Sequence, residues 1–76
     1  MEYLLVNFKE SRGVLANGNP VGTTNSALTL PPNEYIITLD GAQDYAPSSQ
    51  DVILAGTSSM RPKTITFNKL GAKLGS

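Results

Sequence analysis

The residues closest to a catalytic arrangement lie in one polar loop, where Ser48 and Ser49 stand between Asp44 and Asp51. A serine nucleophile needs a neighbouring base, and the chain contains no His and no Cys. A carboxylate or a lysine would have to activate the hydroxyl, and the sequence marks neither an oxyanion hole nor a substrate pocket. We therefore expect no enzymatic activity and interpret these side chains as partners in turn hydrogen bonds.

The same loop brings three carboxylates together, those of Asp40, Asp44 and Asp51. Their spacing does not match the alternating acidic ligands of an EF-hand loop, and the bidentate glutamate that closes such a loop is missing. We expect no metal and no cofactor, with Asp40 and Asp44 acting as turn formers. A loop calcium site built from these two carboxylates and backbone carbonyls is the alternative.

Tyr45 differs from the other aromatic residues because it lies in this loop and not on a predicted strand. It either closes one end of the fold or contacts a ligand. Together with Gln43 and the rest of the loop (residues 43–50), it defines one candidate ligand site, that of a carbohydrate-binding module. Sugar sites usually present an exposed Trp or several Tyr, and this chain has no Trp.

Charge is balanced overall but unevenly distributed. The chain has six acidic and six basic residues, and residues 61–76 contain four of the bases and no acid. This neutrality argues against nucleic-acid binding, so we interpret the basic end as solvated. The apolar runs are too short for direct membrane insertion. Residues 1–10 carry an acid where a signal peptide has bases, so we do not expect them to be a signal peptide. Two locations remain possible: the cytoplasm, or, if the chain is a piece of an exported protein, the cell envelope, periplasm or extracellular space.

Short runs of β-branched, aliphatic and aromatic residues, separated by turn residues, predict strands and not helices. Asn17 and Gly18 predict a hairpin, and Pro20 places the next segment at a sheet edge. Asn33, after two prolines, is expected to take left-handed geometry at a corner. The predicted strands cover residues 3–8, 13–16, 26–30, 35–40, 51–54 and 63–67.

Alternation along these strands predicts one buried face in each. The inward positions are Leu4, Val6, Phe8, Val14, Ala16, Leu28, Leu30, Tyr35, Ile37, Leu39, Val52, Leu54, Ile65 and Phe67. Such a chain forms an all-β fold, a small antiparallel β-sandwich of six or seven short strands, immunoglobulin-like or transthyretin-like in style. We assign residues 1–68 to this single domain and residues 69–76 to a flexible tail.

Three segments, ANGNPVGTT, LTLPPNEYIITL and DYAPSSQDVILAGTSSMRPKTITF, resemble the PEGA domain, a small bacterial and archaeal β-sandwich module similar to carboxypeptidase-regulatory and transthyretin-like domains. The matching positions are Asn17, Gly18, Val21, Gly22, Thr24, Leu30, Pro31, Tyr35 and residues 64–67. Asn33 and Asp44 stand where the family has glycines. The resemblance implies an accessory domain of an envelope-associated or exported prokaryotic protein, without catalytic residues.

The predicted function is therefore a non-catalytic interaction or spacer module that binds a protein partner or a neighbouring domain. Tyr3 and Leu5 point outward from the first strand and would form an apolar patch if nothing covers them. With Gln43 and Tyr45 they are the candidate contact residues. The alternative is the carbohydrate-binding module, whose partner would be a glycan.

Overall fold

The computed structural model describes residues 1–70, which form nine strands and no helix, so this part of the chain has no helix that could cross a membrane. The all-β prediction is confirmed, and the strand count exceeds the predicted six or seven chiefly because two strands are only two residues long. The strands are β1 Glu2–Asn7, β2 Gly13–Ala16, β3 Asn19–Thr23, β4 Ala27–Leu30, β5 Asn33–Leu39, β6 Tyr45–Ala46, β7 Gln50–Leu54, β8 Lys63–Thr66 and β9 Asn68–Lys69.

Two sheets enclose the core, a three-stranded sheet in the order β4-β1-β8 and a four-stranded sheet in the order β3-β2-β5-β7. A small ribbon of β6 and β9 lies apart from both. Pairing is antiparallel, as predicted, in every pair of the described residues except β1 with β8, which is parallel. β1 and β8, which lie far apart in the sequence, are therefore neighbours in one sheet.

A single hydrophobic core fills the space between the sheets. Every residue assigned to an inward position is buried, and Tyr45 joins them from the ribbon. Ile37 is an example: it lies on β5, between β2 and β7, faces the core and is 0% exposed. The period-two alternation of the sequence is thus the alternation between core and outer faces.

The hairpin predicted at Asn17-Gly18 joins β2 to β3, with positive φ angles of 52° and 85°. β3 is the edge strand predicted from Pro20, and its register against β2 is interrupted by a bulge. Gly22 on β3 lies against Leu28, and a Cβ at this position would overlap the leucine side chain. Glycine therefore allows β3 to approach β4.

The predicted left-handed geometry of Asn33 is wrong. Asn33 begins β5 in extended conformation, and its Oδ1 accepts a hydrogen bond from the Glu34 amide at 2.8 Å. The corner is held instead by the Tyr35 hydroxyl, which donates to the Pro31 carbonyl at 2.6 Å. Left-handed geometry occurs at Asn25, with φ of 64°, in the turn before β4.

Regular structure continues past the predicted domain boundary at residue 68. Lys69, the first residue of the predicted tail, lies in β9 opposite Tyr45. The Leu70 amide then donates to the Asp44 carbonyl at 2.8 Å. The rest of the predicted tail, residues 71–76, lies outside the described residues.

Candidate functional site

The densest group of charged side chains consists of Glu10, Arg12, Asp44 and Lys69, here called the ionic cluster. Arg12 Nη2 lies 3.1 Å from Glu10 Oε2 and 3.0 Å from Asp44 Oδ1. Lys69 Nζ lies 2.9 Å from Glu10 Oε1 and 2.8 Å from Asp44 Oδ2. Each acid therefore contacts both bases, and the four charges balance within the cluster.

Backbone contacts position the ionic cluster. Thr24, which is 2% exposed, donates its hydroxyl proton to the Glu10 carbonyl at 2.7 Å and accepts from the Arg12 amide at 2.9 Å. Arg12 Nη1 donates to the carbonyls of Asp40 and Ala42. These bonds fix the β1–β2 loop and tie it to the loop after β5.

The pKa shifts follow from this pairing. Hydrogen bonds from Lys69 and then from Arg12 lower the pKa of the Glu10 carboxyl, and bonds from the same two bases lower the pKa of Asp44. The Arg12 pKa is raised by Glu10 and Asp44, and the Lys69 pKa by Asp44 and Glu10. All four groups are therefore held in their charged forms, which is the behaviour of a structural ion-pair network.

Three aromatic rings, Phe8, Tyr45 and Phe67, lie beneath the ionic cluster. Arg12 and Lys69 are both within 6 Å of the Phe8 ring centroid, at 5.4 Å and 5.9 Å. Tyr45 packs edge-on against Phe8 and Phe67, with centroid distances of 6.2 Å and 5.3 Å. This stacking of charges over rings closes one end of the sandwich.

Tyr45 is part of that closure. Its hydroxyl donates to the Leu39 carbonyl at 3.0 Å and accepts from the Leu39 amide at 3.2 Å, and the residue is 5% exposed. Of the two interpretations offered by the sequence, the geometry fits the one in which Tyr45 closes the fold. Gln43 is exposed nearby but has no exposed aromatic ring beside it in its loop, so the loop lacks the platform on which a sugar would stack.

The serine and aspartate side chains of this loop differ in their surroundings. Ser48 and Ser49 are exposed, while both oxygens of the Asp44 carboxylate are engaged by Arg12 and Lys69. Asp40 Oδ1 accepts from the Gly41 amide, the contact of a turn former. Within residues 1–70, no group of three or more acidic, His or Cys side chains is placed to hold a metal ion.

A surface depression of about 420 Å³ lies beside the ionic cluster, lined by residues 7–9 and 66–69. Its charged side chains are those of Lys9 and Lys69, and Lys69 is already paired with two acids. The depression brings no carboxylate and no nucleophile–base pair to a common point. Its residues therefore offer no evident chemistry.

Tyr3 and Leu5 lie on the outer face of the three-stranded sheet, where both are half-buried. Their cross-strand neighbours on β4 are Thr29 and Ala27. Tyr3 lies near the start of β1, where its amide donates to Thr57 Oγ1 at 2.7 Å, whereas Tyr45 packs against Phe8, just past the other end of the strand. The structure therefore does not bring the four predicted contact residues together.

The outer face of the four-stranded sheet carries a more exposed apolar surface. Leu15, Ile36 and Ile53, here called the apolar band, cross the sheet from β2 through β5 to β7. Leu15 lies opposite Thr38 and Ile36 opposite Asp51, so successive members of the band are diagonal neighbours, about 7–8 Å apart. Ile36 is 50% exposed and Ile53 is 69% exposed, whereas Leu15 is half-buried.

Acidic side chains flank the apolar band. Glu34 lies opposite Ile53, and Asp51 lies opposite Ile36. Both are exposed, and neither forms an ion pair with another residue of the described chain. The charged residues on the strands of this outer face are therefore all acidic, in contrast to the balanced ionic cluster.

Sequence reasoning missed the apolar band and predicted the outer patch on β1 instead. A signal was available, because Ile36 and Ile53 occupy outward positions on strands whose inward positions are already apolar. Nothing in the period-two pattern requires isoleucine there, since an outward position needs only a residue that tolerates extended conformation. Their alignment, however, depends on the β5–β7 register, which the sequence does not specify.

Comparison with known proteins adds no relative. No protein-family model matches the chain, and searches of curated proteins and of solved structures find no significant match. The resemblance to the PEGA domain therefore stays a prediction from the sequence.

Proposed function

We propose that this protein is a non-catalytic β-sandwich module that binds a protein partner or a neighbouring domain through the outer face of its four-stranded sheet. The observation that carries the proposal is the apolar band, whose central and edge members are 50% and 69% exposed. Aliphatic side chains on an outer face gain free energy when a partner removes them from water. Three such residues at successive diagonal positions form a surface, unlike a single exposed side chain.

The distribution of polar groups supports a binding role over a catalytic one. The chain has no His and no Cys, and Asp44, the acid just before the serine pair, is engaged in the ionic cluster. The Asp44 carboxylate therefore serves to hold the loops of the closed end together. The apolar band has no structural partner within residues 1–70, because the core of the sandwich lies on the opposite face of the same sheet.

The proposed setting is an accessory or spacer position in an envelope-associated or exported protein. This part rests on the resemblance of the turn and corner positions to the PEGA domain. In that setting the partner of the apolar band would be the adjoining domain or a second envelope protein. A cytoplasmic chain with a soluble partner would use the same surface.

Site-specific photo-crosslinking in the source cells tests the proposal. A photoreactive amino acid would replace Ile36 in one variant and Thr29 in a control variant. Thr29 is a matched position because it is also exposed on a strand's outer face, but on the three-stranded sheet. We expect a discrete crosslinked product from position 36 and none from position 29.

Two outcomes would contradict the proposal. Equal crosslinking from the two positions would mean that contacts are random collisions. Absence of any product from position 36, with the variant folded and present at normal abundance, would mean that the apolar band is not a binding surface in these cells.

A further inference from the structure

β7 forms one edge of the four-stranded sheet and carries Ile53, the most exposed member of the apolar band. An edge strand presents unpaired backbone groups. The pattern of hydrogen bonds between the strands shows to which residues of β7 these groups belong. The Ile36 carbonyl accepts from the Asn17 amide at 2.9 Å, so the polar groups of Ile36 point toward β2. Because these groups alternate in direction along a strand, those of Tyr35 and Ile37 point toward β7.

The free groups on β7 can be assigned from the same register. Tyr35 pairs with Val52 and Ile37 with Gln50, so Val52 and Gln50 direct their backbone groups toward β5. The amides and carbonyls of Asp51 and Ile53 must then point away from the sheet. Among the described residues, no backbone or side-chain hydrogen bond satisfies them outside the strand ladder. β7 therefore offers two donors and two acceptors in the spacing that an added strand requires.

The other three edges of the two large sheets are less open. β3 contains Pro20 and a bulge, both of which hinder pairing with a further strand. β8 begins with Lys63, and its Thr66 carbonyl already accepts at 2.8 Å from the side chain of Gln50, the first residue of β7. This contact does not involve the backbone groups of Asp51 or Ile53. β4 is four residues long and is followed directly by two prolines. β7 has no proline, no bulge and only one charged residue, Asp51.

The outer-face side chains of β7 indicate which side chains an added strand would carry. A residue opposite Ile53 would extend the apolar band, and a residue opposite Asp51 would meet its carboxylate, with Glu34 one strand further in. Because neither acid has an ion-pair partner among the described residues, a basic side chain at this position would be favoured electrostatically.

We propose that β7 accepts an antiparallel strand from a protein partner, an extended segment whose outward residues include an aliphatic side chain opposite Ile53 and a basic one opposite Asp51. This inference rests on the proposed function and names its partner chemistry. Main-chain hydrogen bonds to Asp51 and Ile53 hold the added strand, and the two outward side chains set its register. The sandwich would then contain a five-stranded sheet with the band continued onto the partner.

The probe is a blocked heptapeptide, Val-Thr-Val-Thr-Lys-Thr-Lys, which places valine opposite Ile53 and lysine opposite Asp51 in antiparallel register. A control peptide carries N-methyl groups on the second valine and on the first lysine, the residues placed opposite Ile53 and Asp51, whose amides would face β7. N-methylation keeps the charge and the apolar surface but removes two donors and adds bulk at the edge. A second control peptide has glutamate in place of both lysines.

Titration followed by backbone amide NMR should give saturable shifts centred on Asp51 and Ile53. We expect N-methylation, and separately the substitution Asp51→Lys, to weaken binding by about tenfold or more. Thr29→Lys, on the edge of the other sheet, should leave the affinity unchanged. Because residues 29 and 51 are both exposed, each variant is expected to fold, and its own amide spectrum verifies this.

Equal binding of the N-methylated peptide, or shifts centred away from β7, would overturn the added strand. If position 36 still crosslinks to a partner in cells, the proposed function survives and the partner docks on the face alone. Self-association through β7 in sedimentation without peptide would identify a second copy as the occupant and would also overturn this inference. Loss of both the crosslink and peptide binding would contradict both proposals.

Discussion

The closed end of the sandwich and the outer face of its four-stranded sheet use their side chains in opposite ways. At the closed end, Glu10, Arg12, Asp44 and Lys69 neutralise one another above the aromatic rings. On the outer face, Ile36 and Ile53 are exposed beside acids that have no ion-pair partner among the described residues. The four charges of the ionic cluster thus stabilise the fold, whereas the isoleucines and acids of the outer face stay exposed.

The comparison also shows why residue type alone is a poor guide to function in a small domain. A chain of 76 residues has a thin core, so interactions outside it contribute substantially to holding the loops. Charged and aromatic groups supply those interactions here. The side chains that these interactions do not engage stay exposed, and they are identified by their exposure and by strand register.

The largest effect on stability should appear when two adjacent isoleucines on β5 are truncated one at a time. Ile37→Ala removes a fully buried side chain and should lower the free energy of unfolding by about 2–5 kcal/mol. Ile36→Ala, one residue away on the outer face, should change it by less than about 1 kcal/mol. Urea unfolding of both variants measures the difference. Equal losses would mean that the outer face is covered within the protein itself.

A smaller loss should follow from removing one hydroxyl at the closed end. Tyr45→Phe keeps the ring but leaves the Leu39 amide and carbonyl without their buried partner. We expect a cost of about 1–3 kcal/mol in the free energy of unfolding. Thermal and urea unfolding check this, with Tyr3→Phe as the control on a half-buried tyrosine. A Tyr45→Phe variant as stable as the parent would show that the closure does not depend on these bonds.

Acid should weaken the ionic cluster at the closed end. The pKa values of Glu10 and Asp44 are lowered in the folded protein, so their stabilisation is complete above the ordinary carboxyl range, about pH 4, and is lost as the pH falls below it. Lys69 and Arg12 have raised pKa values, so their contribution is present at neutral pH and lost only in strong alkali.

Melting temperature measured from pH 7 to pH 2 should therefore fall more steeply for the parent than for a Glu10→Gln, Asp44→Asn double variant. Amide exchange should rise with acid at Lys69 and Leu70, which the cluster and the ribbon hold in place. Identical pH profiles for parent and variant would show that the ionic cluster adds nothing to stability.

The smallest effect on stability should accompany the largest effect on surface character. Ile36→Thr with Ile53→Thr keeps β-branched residues on the outer face and should change the free energy of unfolding by less than about 1 kcal/mol. Retention on a hydrophobic-interaction column should nevertheless decrease. The matched control is Thr29→Val with Thr64→Val on the other sheet, which should increase retention. Unchanged retention of the isoleucine variant would contradict an exposed apolar band.

The parts of the fold that sequence predicted are those set by local alternation. Leu4, Val6 and Phe8 alternate with outward residues, and their burial follows whatever partners β1 has. Asn17-Gly18 similarly determines a hairpin by its own backbone preferences. Such features need no knowledge of how distant strands pair.

The parts that sequence could not predict depend on distant pairing. Arg12 and Asp44 meet across 32 residues, and nothing in either segment indicates the other. β9 has only two residues, both polar, so it carries no strand pattern. The apolar band exists because the β2–β5 and β5–β7 registers align three separate outward residues. These features become visible only when the registers are known.

The parallel pairing of β1 with β8 has a mechanical consequence. Because the two strands run in the same direction, the chain enters β1 at one end of this ladder and leaves β8 at the other, from Leu4 opposite Lys63 to Asn7 opposite Thr66. Tension applied to the start of β1 and the end of β8 would slide the strands past each other and load all their hydrogen bonds at once, instead of opening them one by one. The domain would therefore resist stretching along this direction until the whole ladder ruptured, and would then extend abruptly.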